Sequence, residues 1–161
     1  MNAALAKLYQ DVILSHHRDP HHFGPLPEAT HRCQLSNPLC GDEVTIALVL
    51  EAAPASVASI SHCSFEGHGC AVCRASASLL TDAVHGLSVL AARGLADSLL
   101  NFLRTTPKSE GEEGTETPEG LGDLVALSGV REYPSRRRCA TLPWEALLKL
   151  LETPETPNPE R

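Results

Sequence analysis

Three of the six cysteines sit where the chain either exposes a thiol or favours its thiolate. Cys40 lies in Asn37-Pro38-Leu39-Cys40-Gly41-Asp42, where Pro38 stiffens a turn and Gly41 can take backbone angles closed to other residues. Cys40 and Asp42 are two apart, so one turn can aim a soft thiolate and a hard carboxylate at the same point. Cys70 follows Gly67-His68-Gly69 and opens an expected helix, where free N–H groups and the helix dipole lower a thiol pKa from its ordinary value of about 8.5. Cys139 follows Arg136, Arg137 and Arg138, and positive charge again favours the thiolate. Thiolates and a carboxylate can ligate a metal. Spacing alone does not join them, because they stand far apart, unlike the close pairs of a zinc finger. Each could equally be a small buried hydrophobe, a reading that suits Cys139 better than the turn-borne Cys40.

The remaining candidates read more plainly. Cys73 makes a redox-like spacing with Cys70, but no thioredoxin-like context is expected, so it reads as filler on a helix face. Cys63 alternates with Phe65 on a strand and reads as core, and Cys33 lies in a connection and reads as incidental. His16-His17 and His21-His22 flank a helix end, where imidazoles suit the dipole and solvent, and they are not read as ligands. His68 reads as exposed beside Cys70, and Arg136 to Arg138 as either a solvated cluster or a counterweight to negative charge nearby.

These residues belong to a chain of 161, with 42% hydrophobic residues, enough for one domain with a core that needs no disulfides. The net charge of −7 argues against a nucleic-acid binder, which carries a basic face. No apolar run approaches the roughly 20 residues of a membrane span, and Met1 to Lys7 shows no signal pattern, so a cytoplasmic protein without a membrane partner is expected. In that reducing setting cysteines are metal-binding or catalytic rather than paired.

Leu5, Leu8, Tyr9, Val12 and Ile13 recur at helical spacing, and Pro20 and Gly24 end that helix. Asp19 to Thr30 reads as an irregular connection, with a weak strand signal at His31 to Leu35. Val44 to Glu51 and Val57 to Phe65 read as strands joined by a turn at Ala53-Pro54-Ala55, with Gly67-His68-Gly69 breaking the second. A helix should run from Cys70 to Gly86, another from about Leu87 to Leu103, a short one within Leu121 to Val130, and a last one from Pro143 to Leu151, with an earlier start near Ser135 open. Thr105 to Gly120 holds five glutamates and no large apolar residue, so a mobile acidic insertion is expected there; residues 153–161 should form a frayed tail after a domain at 1–152.

Taken together, three segments resemble the IscU/SufU family of iron–sulfur cluster assembly proteins. Leu8-Tyr9, Val12-Ile13, His16, Pro20 and Phe23-Gly24 are similar to its opening helix; Asn37 to Asp42 to its first ligand motif; Gly67 to Cys70 with Ala75-Ser76-Ala77-Ser78 to its second; and Arg136 to Cys139 with Leu142 and Trp144 to its third. The resemblance implies an α+β fold, a small antiparallel sheet of about three strands packed against several helices. It also implies a metal held by Cys40, Asp42, Cys70 and Cys139. Arg138 replaces the histidine that precedes the last cysteine in the IscU branch, and the insertion between the second and third cysteines is similar to that of the SufU branch. The expectation is therefore a zinc-bound sulfur acceptor, served by a SufS-type cysteine desulfurase and delivering to recipient apoproteins or later assembly proteins. Cys40 is expected to take the sulfur first, with Cys139 as its rival, and the same ligands could carry iron or a transient [2Fe–2S] cluster. The Leu-Pro-Pro-Val-Lys segment that a DnaK-type chaperone reads has no counterpart near Arg131 to Cys139, so that partner is not expected. Direct assembly of a [2Fe–2S] cluster for transfer, and a purely structural zinc module, are the competing readings.

Overall fold

Val44, Ile46 and Leu48 stand at alternate positions of a strand that can bury one face. In the structure, a computed structural model describing residues 3–53, 56–106 and 117–152, that strand is the middle of a sheet. Strands β1 (His31–Asn37), β2 (Asp42–Ala53) and β3 (Ser56–His68) form an antiparallel meander in chain order. Cys33 pairs with Ile46, Leu35 with Val44, Cys63 with Leu48 and Phe65 with Ile46. Residues directly opposite share a face, and this one carries buried Val44, Ile46, Leu48, Cys63 and Phe65. Asp42 is in phase with them, so its carboxylate projects to the interior side at the end of the sheet, opposite Asn37.

Helices α1 (Ala3–Arg18), α2 (Ala71–Val84), α3 (Val89–Arg104) and α4 (Pro134–Glu152) complete an α+β fold, with a 3₁₀ helix, Gly122–Glu132, before α4. α2 packs on β3, α1 and α4, while α4 reaches β1, β2 and α3. Trp144, Leu147 and Leu150 of α4 join Ile46, Leu48 and Leu80 in one core. No helix of the described residues is long and apolar enough to cross a membrane.

Several elements differ from their sequence reading for identifiable reasons. Cys33 belongs to β1 rather than to a connection. The connection after α1 is stitched to β3: Gly24 N–H donates to the Phe65 carbonyl (2.9 Å), Phe65 N–H to the His22 carbonyl (3.1 Å), and the two phenyl rings lie 5.1 Å apart. α3 starts only after Ser88, whose hydroxyl accepts the Ala91 N–H as an N-cap. The segment after residue 120 is 3₁₀ rather than α because Leu121, Leu124, Leu127 and Val130, all buried, recur every three residues and so line up on one edge. α4 begins at Pro134, which suits a first helical turn, and runs through Pro143. Pro143 has no N–H for the Cys139 carbonyl four residues back. Of the expected acidic insertion, residues 107–116 lie outside the described residues, as do the turn residues 54–55 and the tail 153–161.

β3 also continues through Gly67 and His68, where the glycines were expected to end it. Gly67 has φ +127°, and a Cβ there would lie 2.1 Å from the Glu43 carbonyl oxygen of the neighbouring strand. Gly67→Ala should therefore cost at least about 2 kcal/mol and lower Tm by about 5 °C or more. Gly94→Ala, in an exposed part of α3 with open space around the new methyl group, should instead stabilise by about 0.5–1 kcal/mol. Thermal unfolding of the two variants beside the parent checks both signs.

Candidate metal centre

The β1–β2 turn is organised by Asn37. Its carbonyl accepts the Cys40 and Gly41 N–H groups at 3.3 and 2.9 Å, and its side-chain oxygen accepts the Leu39 N–H at 3.2 Å. Gly41 takes φ +74°, a left-handed angle that glycine adopts without strain. This turn leaves Cys40 exposed, with Sγ 3.9 Å from the Asn37 carbonyl, and then delivers Asp42 to the interior, where it is 1% exposed.

β3 ends at His68, and Gly69 leads into α2 with Cys70 as its N-cap residue. The Cys70 side chain makes no capping bond. Asp42 serves the helix end instead: its Oδ1 accepts the Cys70 N–H at 2.8 Å, and its Oδ2 lies 3.7 Å from Cys70 Sγ. A carboxylate there is favoured by the positive end of the helix dipole. Gly69 makes room for it, because a Cβ would stand 2.8 Å from Asp42 Oδ1. Cys139, 2% exposed, comes from the second turn of α4. Its approach is set by Ser76 of α2, whose hydroxyl donates to the Ala140 carbonyl at 2.6 Å and accepts the Trp144 indole N–H at 3.1 Å.

The fold thus brings one donor atom each from Cys40, Asp42 and Cys139 within 4.8 Å of one another. Cys70 reaches the same carboxylate from the fourth side without being part of that mutually close set. Burial alone would raise the Asp42 pKa, but hydrogen bonds from the Cys40 thiol, the Cys70 backbone and the Cys139 and Cys70 thiols outweigh it, and the net shift is downward. Burial, then hydrogen bonding to Asp42 and Cys70, pushes the Cys139 thiol well up.

Cys63 and Cys73 stay apart from this chemistry. Burial raises Cys63 to about 12, and burial followed by the Asp42 charge holds Cys73 above the ordinary thiol range, so both are neutral core groups. Two of the arginines before Cys139 are occupied elsewhere. Arg137 donates to the Arg131 carbonyl (2.5 Å) and to Thr106 Oγ1 (3.1 Å), and Arg138 pairs with Glu145 (3.4 Å). Among the described residues no lysine or arginine forms an ion pair with Asp42. A buried carboxylate that faces three thiols and lacks a cation is a donor set that fits a thiophilic metal ion. Asn37 and Ser76 were read only as motif residues, and the turn-organising role of the first, the bridging role of the second and the steric role of Gly69 were missed in the sequence. For Ser76 a signal existed, a hydroxyl within an otherwise apolar helix face, with an indole elsewhere in the chain in need of an acceptor.

Residues 8–140 match the family model described as the NifU-like N terminal domain. The chain is 33% identical over 148 residues to the zinc-dependent sulfurtransferase SufU of Bacillus subtilis (strain 168), covering 92% of each chain. It is 35% identical over 150 residues to the iron–sulfur cluster assembly scaffold protein IscU of Streptococcus pyogenes serotype M1, covering 92% of this chain and 85% of that one. A crystal structure from Fervidobacterium islandicum AW-1, described as a candidate iron–sulfur cluster assembly scaffold of the SUF system, superposes with TM-score 0.73 at 26% identity, over 91% of this chain and 98% of that one.

Gly69→Ala tests how the site is held. The added methyl group should push the carboxylate off the Cys70 N–H. Loss of a charge-assisted bond worth about 1.5–3 kcal/mol should then speed hydrogen exchange at the Cys70 amide by about tenfold or more. Unchanged exchange at that amide would show that Asp42 does not anchor the end of α2.

Proposed function

The chain belongs to the NifU-like N-terminal domain family, and on that footing we propose that it holds zinc at Cys40, Asp42, Cys70 and Cys139 and accepts sulfur from a cysteine desulfurase for iron–sulfur cluster assembly. Its place in iron–sulfur assembly rests on the near full-length likeness to SufU and IscU relatives. One observation carries the site: a buried carboxylate with no cationic side chain paired to it among the described residues, and with the sulfurs of Cys40, Cys70 and Cys139 gathered around it. Zinc bound there would keep the thiols deprotonated at neutral pH.

The chain's own residues divide the work by exposure. Cys40 stands on an exposed turn that Gly41 allows to swing, whereas Cys139 is buried in α4 and Cys70 is fixed at the start of α2. The Cys40 thiolate attacks the outer sulfur of the desulfurase persulfide. The donor's S–S bond breaks, the donor cysteine leaves as its thiolate, and Cys40 becomes the persulfide, with no net change of oxidation state. Leu39, 95% exposed beside Cys40, offers a protein partner an apolar contact. A cleft of about 510 Å³ lined by Tyr9, Ile13, Val72, Val130, Tyr133 and Arg136 takes in Val72, two residues after Cys70, and offers another.

Replacing Cys40, Cys70 or Cys139 singly with Ser should abolish tight zinc binding, while Cys33→Ser, Cys63→Ala and Cys73→Ala should keep the zinc held by the parent. Elemental analysis of the purified variants decides this, and full zinc in any of the first three removes that residue from the ligand set. Iron with acid-labile sulfide in the protein as isolated would favour direct cluster assembly instead.

A second measurement addresses the order of transfer. After brief incubation with desulfurase and cysteine, alkylation and peptide mass spectrometry should find the extra sulfur first on the Cys40 peptide. Sulfur appearing first on the Cys139 peptide would reverse the assignment.

A further inference from the structure

We propose that His16, His21 and Asp82 form a second metal site, separate from the cysteines, for a first-row divalent transition-metal ion. Each of the three can offer a ligand atom such that all lie within 4.8 Å of one another. They come from three parts of the fold: the last turn of α1, the connection after it, and the last turn of α2. Asp82 follows Cys70 by twelve residues of one helix, roughly 18 Å, so the two sites cannot share an ion.

The support around these ligands is already built. His16 is 8% exposed, and its Nδ1 lies 2.7 Å from Ser78 Oγ. The same hydroxyl accepts the His21 backbone N–H at 2.7 Å, so one α2 serine holds the ring of His16 and the backbone of His21. With Nδ1–H donated to this hydroxyl, the His16 imidazole is fixed and its Nε2 lone pair is left to a metal. The two imidazole rings lie 4.5 Å apart. His21 Nδ1 meets Asp82 Oδ2 at 2.5 Å, and His22, held to Thr81 Oγ1 at 3.1 Å, stands 3.5 Å from Asp82 Oδ1.

Donor chemistry selects the ligand class. Two imidazoles and one carboxylate are the donors of zinc and non-haem iron(II) sites with open positions, and oxygen-seeking Mg²⁺ or Ca²⁺ would not choose them. Metal–ligand bonds of about 2.0–2.2 Å set neighbouring ligand atoms about 3 Å apart, so His21 and Asp82 must separate by roughly half an ångström. Their side chains, 47% and 41% exposed, are free to do so.

The test is titration of the full-length, reduced, metal-stripped protein with Co²⁺, followed by absorbance, beside His21→Asn and Asp82→Asn. The parent should bind one more equivalent than either variant. That extra cobalt should show ligand-field bands without thiolate charge-transfer absorption, while any thiolate band is the same in all three proteins. Both substitutions fall on exposed side chains, and circular dichroism confirms that the variants fold. Equal stoichiometry in the three proteins, or an extra equivalent carrying thiolate charge transfer, would reduce the cluster to a hydrogen-bonded His21–Asp82 pair and overturn the proposal.

Discussion

The buried carboxylate of Asp42 is the constraint on which the other features of the site depend. Removing a carboxylate from water costs several kcal/mol. The Cys70 N–H, at 2.8 Å, offsets part of this with a charge-assisted bond of about 1.5–3 kcal/mol, and the surrounding thiols add weaker ones. The remainder is what a metal ion would supply. Placing Asp42 there requires three things at once: the β2 register that turns residue 42 inward, the missing side chain at Gly69, and a helix beginning at Cys70. A slip of one residue in the β1–β2 pairing would turn Asp42 toward solvent and leave the site without its carboxylate.

α2 is the rod that ties the rest to this point. Its first turn meets Asp42, Ser76 fastens it to α4 and so sets where Cys139 stands, and Ser78 fastens it to the end of α1 and the connection that follows. The buried serines Ser76 and Ser78 therefore act as length standards between helices. Each is satisfied by a partner distant in sequence, so the hydroxyls cost little to bury and give the helices a single relative position.

Much of this was legible in the residues, for reasons that differ by element. The alternation of Val44, Ile46 and Leu48 and the helical spacing after Cys70 are local signals, so β2 and α2 lie where the pattern puts them. The residues of the site were visible because Pro38, Gly41 and the glycines around His68 mark backbone that packing alone does not ask for. What escaped is non-local. β1 gave only a weak signal at His31 to Leu35, because it shows little apolar alternation and is held as a strand by pairing with β2. β3 continues through Gly67 because the backbone of the neighbouring strand lies against it. The period of three in Leu121, Leu124, Leu127 and Val130 was present to be read, but it resembles a frayed α-helix until the core reveals which edge is buried. The histidines after α1 looked like solvated helix-end residues because Asp82, their carboxylate, is about sixty residues away.

Pro143 removes one restraint from the turn that carries the buried Cys139. Without a proline N–H, the carbonyl of Cys139 lacks the helical bond that would tie its turn to the next. From Ala140 onward α4 is anchored by Ser76 and by Trp144 in the core. The stretch Pro134–Cys139, with exposed Ser135, Arg136 and Arg138, is held outside the core by surface contacts, Arg137 to the Arg131 carbonyl and Thr106 and Arg138 to Glu145, which are worth less than core burial. The proline therefore marks the boundary of a cooperative unit: the front of the helix can unravel while the rear stays folded. Access to the Cys139 sulfur then depends on the free energy of that partial unfolding, and any surface that grips the front turns of α4 would hold this thiol in reserve.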